Sequence, residues 1–179
     1  MHVKIRTVTD LSNRYQQGVK LSGVLYFHRI SDRRMGGIAI RNFSMFRGLC
    51  GDDSLKNVAI ITNMWGDVDE KTGLEREQEL RTQDDFFKPA LDQKANMLRN
   101  HDTTGCAHEI LRRFLDNRPS PLKIQVETVD EKKELCDTSA GIQVNMELRE
   151  QADRHRRELE QLRRDMEGIG FISLISDLP

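Results

Sequence analysis

Two short runs constrain this chain most: Gly23-Val24-Leu25-Tyr26-Phe27-His28 and Asn57-Val58-Ala59-Ile60-Ile61-Thr62-Asn63. Each is apolar without a polar interruption, and the second is rich in β-branched residues, the pattern of strands buried on both faces. The segment between them carries Ala39, Phe43, Phe46 and Cys50 at spacings of 4, 3 and 4, one face of an amphipathic helix. Upstream, Val8, Leu11 and Tyr15 mark a short helix closed by Gly18. Downstream, residues 70–84 read as a charged helix, and Phe86-Phe87-Lys88-Pro89 opens another, with proline in its first turn. Ala95 to Arg99 suits either a continuation of that helix or a third strand, and five residues do not decide between them. Thr103 or Thr104 then caps a helix with Ala107, Ile110, Leu111, Phe114 and Leu115 on one face. Strands alternating with helices predict a parallel α/β sheet covered on both faces. Two or three strands are few for such a sheet, so the expected remainder would precede Met1.

The chain divides near Pro119-Ser120-Pro121. Residues 1–120 form the α/β part and 121–167 a charged helical extension, interrupted near Gly141. Residues 168–179 are an apolar tail, expected to be a docking segment or disordered. Within the extension, Leu148, Ala152, His155, Leu159, Leu162 and Met166 follow a heptad seam. Opposite charges four residues apart surround it: Glu150 with Arg154, Asp153 with Arg157, Arg154 with Glu158, and Glu160 with Arg164. Either a solvated helix or a coiled-coil-like surface for a protein partner or self-association through residues 122–167 fits this pattern.

Charge narrows the function classes. Lys plus Arg number 28 against 29 Asp plus Glu, a net charge of −1, which gives no general attraction to nucleic acid. No stretch reaches the ~18 apolar residues of a membrane span. Three widely spaced cysteines, Cys50, Cys106 and Cys136, argue against a disulfide framework and for a reducing, cytoplasmic setting.

In a parallel sheet, ligands meet the loops that leave the carboxyl ends of strands. Here those are Arg29 to Gly37 and Met64 to Asp69. The second, with Thr62-Asn63-Met64-Trp65-Gly66-Asp67-Val68-Asp69, joins Leu21 to Asp32, Arg33-Arg34-Met35-Gly36-Gly37, Leu49-Cys50-Gly51-Asp52 and Phe86-Phe87-Lys88-Pro89 in one ordered set. In that order the chain resembles the carboxyl-terminal half of fungal G-domain P-loop GTPases, related to septin-like and immunity-associated GTPases, from about Tyr15 to Glu167. The resemblance implies an incomplete parallel sheet of a P-loop GTPase-like domain followed by a long charged helical extension. It also implies guanine-nucleotide binding in the intact family, with the segment at Thr62 and Asn63 standing where the Asn/Thr-Lys-x-Asp motif would be. A carboxylate there accepts from the N1–H and exocyclic amine of guanine. Starting from Asn63, the Lys and Asp positions hold Met64 and Gly66; starting from Thr62, they hold Asn63 and Trp65. Asp67 comes one or two residues late. Trp65 is read as a base-stacking group or as a cap on the sheet edge, with Asp67 and Asp69 then turn residues. Asn100 and His101, ahead of Asp102-Thr103, fall where the fifth motif of such GTPases would lie; an ordinary helix cap is the alternative.

The parts that hold phosphate are not recognised. No Gly-Lys pair occurs in the chain, and the magnesium-positioning Asp-x-x-Gly motif is not recognisable in its expected place. Unaided hydrolysis is therefore not expected. No cofactor is assigned to this chain; GTP or GDP with magnesium is implied only for the intact family. A non-catalytic interaction protein acting through the helical extension is the competing reading. His28 and Asp32, four apart, suggest a hydrolase only if a nucleophile accompanies them. Cys106 and His108, two apart on a helix, point to different faces and make a poor metal pair.

Overall fold

The computed structural model describes the backbone of residues 5–32, 36–101 and 103–176, and their side chains except at residues 5–7, 147 and 165–176. Arg33 to Met35, Asp102 and the side chain of Met166 therefore lie outside the described residues. The order is α1 (Ile5–Gln16), β1 (Val24–Arg29), α2 (Gly37–Cys50), β2 (Val58–Asn63), α3 (Glu70–Thr82), α4 (Lys88–Asp92), β3 (Asn96–Arg99), α5 (Thr104–Arg112), α6 (Lys123–Gln125) and α7 (Ser139–Ser176). The strands form one parallel sheet in the order β1-β2-β3. Val24 pairs with Val58 and Arg29 with Asn63, while Ala59 pairs with Asn96 and Thr62 with Arg99. The choice open at Ala95 to Arg99 resolves to a strand. Lys94 at φ 70° breaks the continuation from α4, and residues 96–99 then pair along β2.

Both crossovers stack on one face of the sheet. Tyr26, Ile60 and Met97 meet Phe43, Phe46 and Cys50 of α2, Leu80 of α3, and Phe87 and Ala90 of α4 in one cluster. Its centre is aromatic: Tyr26 lies 5.0 Å from Phe43 and 6.0 Å from Phe87, and Phe43 lies 4.6 Å from Phe87, all edge-on. Such pairs add about 0.5–1.5 kcal/mol each beyond the area they bury. Burial pushes the Tyr26 hydroxyl up to about 12.

The other face is covered less. Ala59 and Ile61 of β2 pack with Ile110 of α5, joined by Leu25, Leu98, Cys106 and Phe114. Phe27 on the edge strand is 53% exposed, so β1 is not buried on both faces as its apolar run suggests. A strand at the end of a sheet is flanked by one neighbour only, and of this face of β1 it is Leu25, not Phe27, that joins the α5 cluster. The apolar face of α5 also differs from the expected one: Ile110 points inward, whereas Leu111 and Leu115 are exposed. The helix ends at Arg112, so the spacing that grouped Leu115 with Ile110 is not maintained.

The body does not close at the Pro119–Pro121 break. Leu122 and Ile124 belong to the main cluster, and buried Gln125 accepts from Leu122 N–H at 2.9 Å and donates to Leu11 O at 2.9 Å. A π-helical turn, Val126–Asp130, follows α6, and the chain is then non-helical until a 3-10 turn at Leu135–Asp137. The interruption expected near Gly141 therefore lies before Ser139. Buried Glu127 fixes that start by accepting from Ser139 N–H at 3.1 Å and from Ser139 Oγ at 2.7 Å. Gly141 sits inside the first turns of α7, where a Cβ would come within 1.9 Å of Leu135 O. Beyond it α7 runs through residue 168 to Ser176 as one helix; residues 177–179 lie outside the described residues. On its exposed surface Asp153 meets Arg156 at 3.4 Å rather than Arg157, and Glu158 meets His155 at 3.4 Å.

Candidate functional site

Because the three strands are parallel and nearly in register, all three leave the sheet at one edge. The ladder continues one residue past each neighbouring strand: Ile30 N–H donates to Asn63 O at 2.9 Å and Asn100 N–H to Thr62 O at 2.8 Å. The loops beginning at Ile30, Met64 and Asn100 thus start side by side, with the central one between the others. Arg76 of α3 ties down the first loop by donating to Ile30 O at 2.9 Å and Ser31 O at 3.0 Å.

The central exit turns sharply. Met64 adopts the left-handed conformation at φ 60°, ψ 38°, uncommon for a residue with a side chain. A 3-10 turn, Trp65–Asp67, follows, and Asp69 caps α3 by accepting from Thr72 N–H at 2.9 Å. That bond to the Thr72 backbone, with its side-chain hydroxyl next, holds the Asp69 carboxyl below its ordinary value. Asp69 is accordingly a helix cap, the turn role expected of it, and Asp67 is exposed in the turn.

Trp65 folds back on the strand it follows. Its Nε1 donates to Thr62 O at 3.1 Å and lies 3.2 Å from Thr62 Oγ1. One side of the indole lies so close to Gly73 of α3 that a Cβ there would come 2.8 Å from Cζ3. Over the ring sits the Arg99 guanidinium, 4.5 Å from the centroid, and the His101 ring is 6.1 Å away. This cation–π contact occupies the surface that a stacked base would need. Trp65 thus has the contacts of a cap on the sheet edge.

Thr62 is fully buried, its Oγ1 3.3 Å from Leu98 O. Asn63 is partly buried, and its Oδ1 is sealed from solvent without a hydrogen-bond partner among the described residues. A buried acceptor left unpaired costs about 1–3 kcal/mol. Asn100 is half-buried and His101 exposed on the adjacent loop. Thr103 caps α5, accepting from Cys106 N–H at 3.2 Å, so the helix-cap alternative describes this loop's end. The edge therefore gathers Thr62, Asn63, Trp65, Asn100 and His101, with Asp67 on its outer turn.

Sequence reasoning missed the charged group beneath it. Buried Glu77 of α3 accepts from Arg99 Nε at 3.1 and 3.2 Å and pairs with Arg99 Nη2, while Arg81 approaches Glu77 at 3.7 Å. The Glu77 hydrogen bond raises Arg99 above its already high ordinary value. Glu77 lies three residues before Leu80 on the inward face of α3, the one available signal in a helix otherwise dense with charge.

His28 and Asp32 share no hydrogen bond or ion pair among the described residues. His28 is buried with its ring 5.3 Å from Phe87, edge-on, and burial lowers its pKa, Asp32 acting in the opposite direction. Cys106 Sγ is engaged with Arg99 O at 3.2 Å, and no group of three His, Cys, Asp or Glu suited to a metal occurs among the described residues. No helix among them is long and apolar enough to cross a membrane. Three cavities among the described residues, of about 220–320 Å³, are lined mainly from α2 and α7 and lie away from this edge. No family model matches the chain, and no curated protein or solved structure matches it.

Proposed function

We propose that this chain is the base-recognising half of a GTPase-like α/β fold, and that it does not hydrolyse nucleotide unaided. The observation that carries the reading is Asn63. Its side-chain oxygen is buried without a donor at the carboxyl end of the middle strand, next to a left-handed Met64. Unmet polar capacity beside an uncommon backbone conformation is where a ligand or a further segment of polypeptide repays the local cost. Support also comes from the parallel order β1-β2-β3, which brings the Met64 and Asn100 loops together at one edge. In this reading an entering base displaces the loop that seals Asn63 and donates to its side-chain oxygen, and Asp67 is the carboxylate facing the N1–H and amine. Trp65 supports Arg99, whose side chain is 39% exposed and offers a planar cation for the base to stack on. Thr62 and Asn100 hold the two loops in register.

Guanosine, which has no phosphate, isolates this edge. Titrated into the folded chain and read by the emission of its single tryptophan, Trp65, it is expected to bind in the millimolar range, about −4 kcal/mol. Asn63→Ala should abolish the response, and adenosine should give a weaker one. An unchanged emission at saturating guanosine, or equal binding by Asn63→Ala, overturns the assignment.

A second reading rests on α7, where Leu148, Leu159 and Leu162 stand in solvent. Interaction through this helix is compatible with the first reading and uses different residues.

A further inference from the structure

The exposed seam of α7 carries a charge pattern that selects its own occupant. Leu148, Leu159 and Leu162 are 56%, 67% and 59% exposed, and they lie with Ala152 and His155 on the two inward positions of a heptad. The sequence carries the same register on to Met166 and Ile169, within the backbone helix that ends at Ser176. The positions flanking the seam are sorted by charge. On one side stand Arg149, Arg156 and Arg163; on the other stand Gln151, Glu158 and Asp165.

Such sorting distinguishes the possible pairings of two copies. In a parallel pair, each flanking residue faces the one five positions later on the opposite side of its neighbour. That places Glu158 against Arg163 and Gln151 against Arg156, twice each by symmetry. In an antiparallel pair, each flank meets the same flank, so arginine would face arginine and carboxylate would face carboxylate. An unrelated partner has no reason to match this pattern, whereas a second copy aligned in parallel matches it automatically.

The body of the protein leaves the seam accessible from Leu148 onward. α2 meets α7 through Gln143, Met146 and Glu150, with Ser44 Oγ donating to Gln143 Oε1 at 2.6 Å. Those residues lie on the side of α7 turned away from Leu148 and Ala152, while Leu135 and Cys136 cover the seam side at Gly141 and Asn145, so pairing begins at Leu148.

We infer that α7 pairs in parallel with α7 of a second copy through Leu148 to Ile169, the register being set by Glu158 and Arg163 across the interface. About three heptads, with Ala152 and His155 inside, make this a weak association that responds to concentration. The inference stands whether or not the sheet edge binds a nucleotide.

Sedimentation of the full chain over a concentration series tests it. The mass should rise from 20.7 kDa toward twice that value. Arg163→Glu should weaken association about tenfold, and adding Glu158→Arg to it should restore association, because the pair is then reversed rather than broken. In a Cys106→Ser, Cys136→Ser background, Leu162→Cys should oxidise to a dimer cross-linked through residue 162. A folded chain that stays monomeric at every concentration overturns the inference. So does association that Arg163→Glu leaves unchanged, or preferred cross-linking of Ala152→Cys to Leu162→Cys, the antiparallel signature.

Discussion

The middle strand and the distal half of α7 both carry apolar residues, unbroken in the strand and at heptad spacing in the helix, and they meet opposite fates. Every apolar residue from Val58 to Ile61 is covered, by α2 and α4 on one side and α5 on the other. Leu148, Leu159 and Leu162 cover nothing within the chain. The difference teaches that periodicity specifies a face, while only packing tells whether the chain itself supplies the surface that face needs. The sheet finds its partners inside the molecule. The helix presents its pattern outward and is suited to recognition.

Mutations should separate the two regions by size of effect. Phe87→Ala, at the fully buried centre of the aromatic cluster, is expected to cost about 3–5 kcal/mol in chemical denaturation, the largest loss of the set. Glu77→Ala leaves Arg99 and Arg81 without their shared carboxylate; with both arginines partly exposed, about 2–3 kcal/mol is expected. Gly73→Ala pushes a methyl against Trp65 and should cost about 1–3 kcal/mol while altering tryptophan emission, thereby linking α3 to the site. Leu162→Ala should change the stability of the isolated protomer by no more than about 0.5 kcal/mol, because its side chain is exposed there. If Leu162→Ala destabilised a dilute protein as much as Phe87→Ala, the contrast between sheet and helix would fail.

Acid offers a further probe of the covered region. Burial lowers the pKa of His28, so the unfolded state holds its proton more tightly than the folded state. The stability tied to His28 is therefore complete above its ordinary value of 6.5 and falls as pH drops through that value. Denaturation series at descending pH should show this loss, and His28→Phe should show less of it.

How far the residues alone reveal this molecule follows from where partners lie. β2 is legible because β-branched residues run unbroken and both faces are covered. The same reasoning applied to Gly23-Val24-Leu25-Tyr26-Phe27-His28 overstates burial, since composition does not reveal that β1 is the end strand and that Phe27 faces outward. Leu122 and Ile124 were hidden by the prolines before them and the charges after them, although they close the main core. Strand ends place Thr62, Asn63 and Trp65 at one edge of the sheet, and Asn100 and His101 join them there only because Asn96–Arg99 is a strand, which the residues left open. The contact between Trp65 and Arg99 and the burial of Glu77 depend on how α3 lies across the sheet, which no local spacing encodes.

The proposed function sets an edge that would face a base against a sequence with no Gly-Lys pair to hold phosphate. Titration of a fluorescent GDP analogue, with magnesium, into the folded chain tests this most directly. Binding no tighter than that of guanosine is the predicted result; sub-micromolar affinity would contradict it.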